Sequence, residues 1–217
     1  YMKTVSIVIP CFNESEVIDF TVEELLSVTG DISNYKFELI FVNDGSSDDT
    51  ESKLLAYSKQ HENIRTISFS RNFGHQQAVS AGLDVSTGDA VVLIDADLQD
   101  PPKVISDMIV KWEEGFDVVY GTRASREGES WFKRVTAKSF YRLLSYLSEV
   151  EIPLDTGDFR LMDRKVADVL RNMREHHRFI RGMTSWAGYR QTGVLYDRDA
   201  RQWGETKYPF RKMLSFA

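Results

Sequence analysis

The sequence is poor in several things, and each shortage removes a class of answer. It holds one cysteine, Cys11, which excludes an internal disulfide and fits a reducing compartment. Cys11 follows Pro10 at the end of an apolar segment and reads as a packing residue, not a nucleophile. No apolar run approaches the roughly 18 residues that a membrane span requires, and no charged-then-apolar leader opens the chain. Internal repeats and low-complexity tracts are missing. So are a recognised nucleic-acid module and any basic ribbon interleaved with aromatics, so nucleic acid is not an expected partner. Basic charge is scarce in the first 120 residues, which hold 8 Lys and Arg against 21 Asp and Glu, a balance of −13. Residues 121–217 reverse this with 19 against 12, a balance of +7. An acidic half can hold a metal, and a basic half can meet phosphates or an anionic membrane surface.

What is present is an ordinary globular composition. With 217 residues, 42% hydrophobic and 28% charged, the chain can bury one large core and is not expected to be disordered. Strand-like and helix-like segments alternate through the first 120 residues. Strands are predicted at 4–10, 37–44, 64–70, 89–95 and 117–123. Helices are predicted at 16–28, 48–60 (with Ser46 or Ser47 as its cap), 75–86 and about 102–114. Ala78, Ala81 and Gly82 recur at helical spacing and permit close packing on a sheet. This order implies an α/β fold with a mostly parallel sheet and right-handed crossovers. Beyond Arg123 the rhythm changes. A polar loop leads to a long basic helix at 131–150, then at 154–164 a turn with Gly157 followed by a short strand, helices at 165–173 and 177–186, and a strand near 189–196.

The stretch "VVLIDADLQDPP" carries the strongest chemical signal. A continuous apolar run fits a strand covered on both faces, and its carboxyl end is where open α/β sheets place ligands. Asp95 and Asp97, two apart on an extended segment, point the same way and with Gln99 could converge on a hard cation. The rival reading is a solvated loop with Asp100 capping the next helix. The first strand also ends in a polar cluster, "PCFNESE", as does the second, "VNDGSSDDT". Three such loops on one sheet edge form one crevice, in which Asn13, Glu14 and Asp44 could flank a nucleoside.

The segments "VSIVIPCFNESE", "FVNDGSSDDT" and "DADLQDPP" resemble the nucleotide-sugar signatures of the inverting family 2 glycosyltransferases with the GT-A fold, a Rossmann-like sheet flanked by helices. "SRNFGHQQAVSAGLDVSTGD" and "LDTGDFRLMDRKV" narrow the resemblance to the polyprenyl-phosphate glycosyltransferases, the group of dolichyl-phosphate mannose synthase and the bactoprenol glucosyltransferases. It covers about residues 4–208. The processive branch carries Q-x-x-R-W. Here "RDARQWGETKY" instead resembles the juxtamembrane motif of the polyprenyl branch.

That resemblance implies a site, residue by residue. Pro10, Asn13, Glu14, Asp44, Asp95 and Ala96 contact the nucleotide sugar, and Arg201 and Lys207 add cations to its diphosphate. Asp95, Asp97 and Gln99 hold Mg2+ or Mn2+. Asp158 stands at the reacting centre beside the catalytic Asp97, orienting an acceptor that is already ionised; its rival reading is a turn residue bonding backbone amides. Arg123 of "GTR" grips the acceptor phosphate, followed in rank by Lys133, Arg134 and Lys138. His75 reads as a capping or packing histidine.

The implied activity is transfer of a hexose, with UDP-glucose the first-choice donor, to polyprenyl phosphate at the cytoplasmic face of a membrane, for envelope glycan modification. Transfer to a sugar hydroxyl of a surface polysaccharide and a non-catalytic nucleotide-sugar-binding module are the alternatives. The expected organisation is a catalytic domain at 1–200 and a basic amphipathic juxtamembrane segment at 201–217 that continues beyond Ala217. Homo-oligomerisation is left open.

Overall fold

A computed structural model of the chain describes residues 1–123, 156–173, 175 and 178–197. Within these residues the strands are β1 (Thr4–Cys11), β2 (Lys36–Asn43), β3 (Ile64–Ser68), β4 (Ala90–Leu93), β5 (Val118–Arg123), β6 (Thr156–Asp163) and β7 (Gln191–Tyr196). The helices are α1 (Ile18–Asp31), α2 (Thr50–Gln60), α3 (His75–Val85), α4 (Val104–Glu113), α5 (Arg164–Asn172) and α6 (Ile180–Trp186). The predicted helix at 131–150 and the segment 201–217 lie outside the described residues.

The strands form one sheet in the order β3-β2-β1-β4-β6-β5-β7. All neighbouring pairs are parallel except those made by β6, which runs antiparallel to both β4 and β5. Because β1 is flanked by β2 on one side and β4 on the other, the chain reverses its direction of travel across the sheet there. This is a topological switch point, and it opens a crevice at the carboxyl ends of the two strands.

Burial on both faces explains the unbroken apolar runs. In β2, Leu39 and Phe41 join one core cluster while Ile40 and Val42 join the other. β4 divides in the same way, Ala90 and Val92 to one face and Val91 and Leu93 to the other, as expected for strands covered by helices on both sides. Helices α1 and α4 cover one face, and α3, α5 and α6 cover the other. The small-residue stripe of α3 does what its spacing predicts, for a Cβ on Gly82 would lie 2.2 Å from Val8 Cγ1.

Two local expectations are corrected. Gly157 lies in a strand and not in a turn, and that strand is longer than expected, for residues 156–163 form an eight-residue strand. Its alternating pattern is masked by Arg160, a cation buried inside the sheet. The hydroxyls of Ser46 and Ser47 do not cap α2. Asp48 Oδ1 accepts from Thr50 N (3.0 Å) and Thr50 Oγ1 instead, a carboxylate near a helix N-terminus meeting its exposed amide.

Candidate functional site

The loops after β1 and β2 are stitched to each other before they can meet any ligand. Asn13 N donates to Ser46 Oγ (2.9 Å), Ser47 N donates to Asn13 Oδ1 (2.8 Å), Glu14 N donates to Thr50 Oγ1 (2.8 Å) and Ser15 N donates to Asp48 Oδ2 (3.1 Å). Asn13 takes a positive φ of 53°, a conformation that a short amide side chain tolerates. Asp44 is buried, and its two oxygens accept from Phe73 N (2.7 Å) and Gly74 N (2.9 Å). It therefore straps the loop before α3 over the end of β2. Gly45 permits that approach, since a Cβ there would stand 2.3 Å from the carbonyl carbon of Arg71. Pro10 is buried within β1, while Asn13 and Glu14 are half-buried at the rim.

After β4 the backbone leaves the strand at Leu93, and residues 96–97 form a turn. The pleat alternation expected to align Asp95 and Asp97 thus does not reach them. The turn is fixed by other means. Buried Thr21 Oγ1 of α1 donates to Ala96 O (2.7 Å), Gln99 N donates to Asp97 Oδ1 (3.2 Å), and the Tyr196 hydroxyl donates to Asp100 Oδ1. Leu98 takes φ 54° between them, local strain of the kind stored at ligand sites. Asp100 is therefore not the cap of α4, whose first amides, Val104 and Ile105, bond to the carbonyls of Pro101 and Pro102. Burial, helped by the charges of Asp158, Asp97 and Asp100 and opposed by His75, pushes the Asp95 carboxyl up to about 6.

Asp158 reaches the same place from the other direction. In the antiparallel register Leu93 faces Arg160, so Asp158, two residues before Arg160, lies toward the carboxyl end of β4, where its charge acts on Asp95. Asp158 lies on a strand, not in a turn, and its carboxylate is held by side chains. His75 Nε2 is 3.2 Å from Oδ2, and Arg181 Nη2 donates to Oδ1 at 3.2 Å. Burial alone would raise its pKa. The hydrogen bond with His75 and the charges of Arg181, His75 and Arg160 outweigh that and hold the group well below the usual carboxylate range. His75, also 3.8 Å from Asp95 Oδ1, is lowered by burial but raised on balance by its bond to Asp158 and by the charges of Asp95, Asp158 and Asp44.

His75 is thus no packing histidine. It is the first residue of α3, directly after Gly74 with φ 107°, and it bridges the two acids. The signal was available, because a helix following a parallel strand begins at the carboxyl edge where the crevice lies. Arg181 was missed outright. It belongs to α6, whose first amide, Ile180 N, donates to Gln76 Oε1 of α3 (3.0 Å), and no local motif announces it. Arg123 ends β5, and Lys133, Arg134, Lys138, Arg201 and Lys207 lie outside the described residues.

The site is chemically suited to a divalent cation. A carboxylate whose pKa is raised by burial and by neighbouring acids, as at Asp95, is relieved by a positive ion. Among the described residues no group of three His, Cys, Asp or Glu side chains is arranged to hold a metal. Ions of the Mg2+ class commonly take one or two protein carboxylates and complete their shell with substrate phosphates and water.

Residues 6–171 match the family described as glycosyl transferase family 2. The chain is 52% identical over 212 residues to the uncharacterized glycosyltransferase YkcC of Bacillus subtilis (strain 168), covering 98% of this chain and 65% of that protein. It is 41% identical over 216 residues to the prophage bactoprenol glucosyl transferase homolog of Escherichia coli (strain K12), covering 98% and 69%. The chain spans about two thirds of the length of these relatives. The fold is shared with the mannosyltransferase PcManGT from Pyrobaculum calidifontis, solved with GDP-Man and Mn2+. The TM-score is 0.63 at 18% identity, over 93% of this chain and 59% of that one. Mycobacterium tuberculosis glucosyl-3-phosphoglycerate synthase, solved with Mn2+, UDP and phosphoglyceric acid, is similar with a TM-score of 0.55 at 26% identity, over 76% and 57%. A polar crevice at the switch point, an acid turn after β4 and this extent of sequence likeness converge on one assignment: the chain belongs to glycosyl transferase family 2.

Proposed function

We propose that this chain is the catalytic part of an inverting transferase that moves a hexose from a nucleotide sugar, UDP-glucose in first place, to polyprenyl phosphate at the cytoplasmic face of a membrane. The observation that carries the reading is that Asp95 and Asp158 both face His75, at 3.8 and 3.2 Å. One carboxylate belongs to a crowded acid turn suited to a cation, and the other is held ionised by His75 and Arg181. Relatives named bactoprenol glucosyl transferase support the acceptor.

Asp95, Asp97 and Gln99 would hold Mg2+ or Mn2+, which when bound supplies Lewis-acid neutralisation of the leaving diphosphate. Pro10, Asn13, Glu14, Asp44 and Ala96 would form the wall against the nucleoside, with Arg201 and Lys207 on the diphosphate. Asp158 would orient the acceptor, whose phosphate is largely ionised near neutral pH and does not depend on a strong base. Arg123, Lys133, Arg134 and Lys138 would serve that phosphate. Envelope glycan modification follows from such a product.

The test is incubation of the chain with a panel of labelled nucleotide sugars and undecaprenyl phosphate in detergent with Mn2+ or Mg2+, followed by lipid extraction. Label in the lipid phase only with one donor, and its loss on chelation, is the expected result. Label transferred to a neutral sugar alcohol but not to the lipid phosphate would overturn the acceptor assignment.

A further inference from the structure

A phosphate acceptor raises an electrostatic difficulty at this site. The phosphate carries nearly two negative charges near neutral pH and must approach Asp158, a carboxylate that the fold keeps ionised. Two anions share a partly buried site only when a cation stands between or beside them. The described residues offer three cationic side chains around Asp158, and two are poorly placed for the task. Arg160 is buried, and its Nη2 and Nε donate to the carbonyls of Gly157 (3.1 Å) and Asp158 (3.3 Å), so it serves the backbone of β6. His75 lies between Asp158 and Asp95 and is engaged with both acids.

Arg181 differs from both. Its side chain is a quarter exposed, so it reaches the crevice. One donor, Nη2, is spent on Asp158, and its Nε is buried without a hydrogen-bond partner among the described residues. A buried N–H without an acceptor costs free energy and is rare in native proteins, so an orphan here points to a group that arrives with the substrate. The guanidinium lies over the Phe179 ring at 5.9 Å, and the start of α6 is pinned to α3 through Gln76. Its planar fork is thereby held beside the carboxylate, ready for the two-oxygen recognition at which arginine excels.

We propose that Arg181 is an acceptor-binding residue, whose guanidinium takes the phosphate of the acceptor against Asp158 and so selects a phosphate over a neutral hydroxyl. This rests on the phosphate-acceptor reading above and adds to it a residue from a helix that the sequence motifs do not mark. A neutral acceptor would leave the Nε orphaned throughout the reaction.

The experiment compares wild type with Arg181→Ala and Arg181→Lys. It measures the KM for undecaprenyl phosphate, the KM for a short water-soluble prenyl phosphate, and the calorimetric affinity for UDP with Mn2+. Arg181→Ala should raise both acceptor KM values about 10- to 100-fold, the range for a lost charged hydrogen bond, while UDP affinity changes less than about twofold. Arg181→Lys keeps the charge without the fork and should fall between, which also guards against a folding artefact in the alanine variant. If wild type labels the prenyl phosphates and both variants lose kcat with acceptor KM unchanged, Arg181 only positions Asp158 and the inference fails while the phosphate-acceptor reading stands. A parallel loss of UDP affinity also overturns it. If wild type labels only neutral sugar alcohols, the phosphate-acceptor reading itself has failed.

Discussion

The two edges of the sheet treat their acids in opposite ways. At the amino edge four carboxylates are matched. Glu38 accepts from Ser6 Oγ (2.7 Å), Thr87 N (3.1 Å), Thr87 Oγ1 (3.0 Å) and Arg65 Nη1 (2.7 Å). Asp89 accepts from Thr4 N, Asp163 caps α5 and takes the Trp112 indole, and Asp117 pairs with Lys165. At the carboxyl edge Asp95, Asp97, Asp100 and Asp158 are crowded together, and Asp95 is driven upward in pKa. The first arrangement lowers the free energy of the fold. The second holds Asp95 ionised at a cost that an added cation would relieve, as functional sites tend to do. Variants should separate accordingly, the carboxyl edge losing activity and the amino edge losing stability.

The largest effect is expected from Asp158→Asn, which removes the negative charge that His75 and Arg181 converge on. Turnover should fall about 10²- to 10⁴-fold, the span associated with a positioned acid or base, with UDP affinity little changed by calorimetry. Equal loss of both would make Asp158 a scaffold residue. Asp95→Asn comes next and gives the sharpest test of the contrast, because activity should fall about 10²-fold while the metal-free protein becomes more stable. The sign follows from the raised pKa. The ionised form begins to cost above its ordinary value near 3.8 and costs fully above about 6, so the gain is complete above pH 6 and absent below about 4. Solvent reaches 41% of the side chain, and screening leaves on the order of 1 kcal/mol, about 2–4 °C in Tm for a chain of this size. Mn2+ should raise the Tm of wild type and not of the variant. A variant that melts lower than wild type in chelator would contradict the account of crowding.

How much of this was legible in the sequence depends on how locally each feature is written. β1, β2 and β4 are apolar runs buried on both faces, and the acids after them fall at strand ends, so the sheet and the place of the acids were readable, whereas the turn at residues 96–97 was not, the spacing predicting extended chain there. β6 was hidden because Asp158 and Arg160 interrupt its apolar positions and because its partners β4 and β5 are distant in the chain. Its antiparallel insertion is decided by pairing, not by local pattern. His75 was visible but undervalued, since a histidine at a helix start has many bland explanations until the opposing strand brings Asp158 to 3.2 Å. Arg181 stands 23 residues beyond Asp158 on a separate helix, and only packing reveals it. The sequence motifs therefore mark the acids after β4, while the groups that position Asp158 are tertiary.

At the amino edge, Glu38→Gln should leave kinetics unchanged and cost about 1–3 kcal/mol, the loss expected when donors that faced a carboxylate meet an amide instead. Burial alone would raise the Glu38 pKa, but bonds from Ser6, Arg65 and Thr87 lower it on balance. A lowered carboxylate contributes stability above its unfolded pKa and loses it as pH falls through the folded one. The Tm difference between wild type and variant should therefore be full near neutrality and shrink on acidification below the ordinary glutamate range. A loss of turnover at unchanged Tm would erase the distinction between the two edges.

The smallest effect is expected where the acid turn meets β6 and β7. Tyr196 ends β7 with its hydroxyl on Asp100, at the close of the acid turn, while its ring packs edge-on against Phe159 at 5.8 Å, the neighbour of Asp158. The ring is tightly set, for a Cβ on Gly121 would stand 2.7 Å from it. Tyr196→Phe keeps that packing and deletes one bond to a buried carboxylate that retains other interactions, so the cost should be near the low end, about 1 kcal/mol. Because the lost bond tethers the acid turn, part of that cost should surface as function. The Mn2+ concentration for half-maximal turnover should rise about threefold to tenfold at nearly constant kcat, with Tm lower by only a few degrees. If Tm fell as far as in Glu38→Gln and the metal response stayed put, Tyr196 would belong to the scaffold.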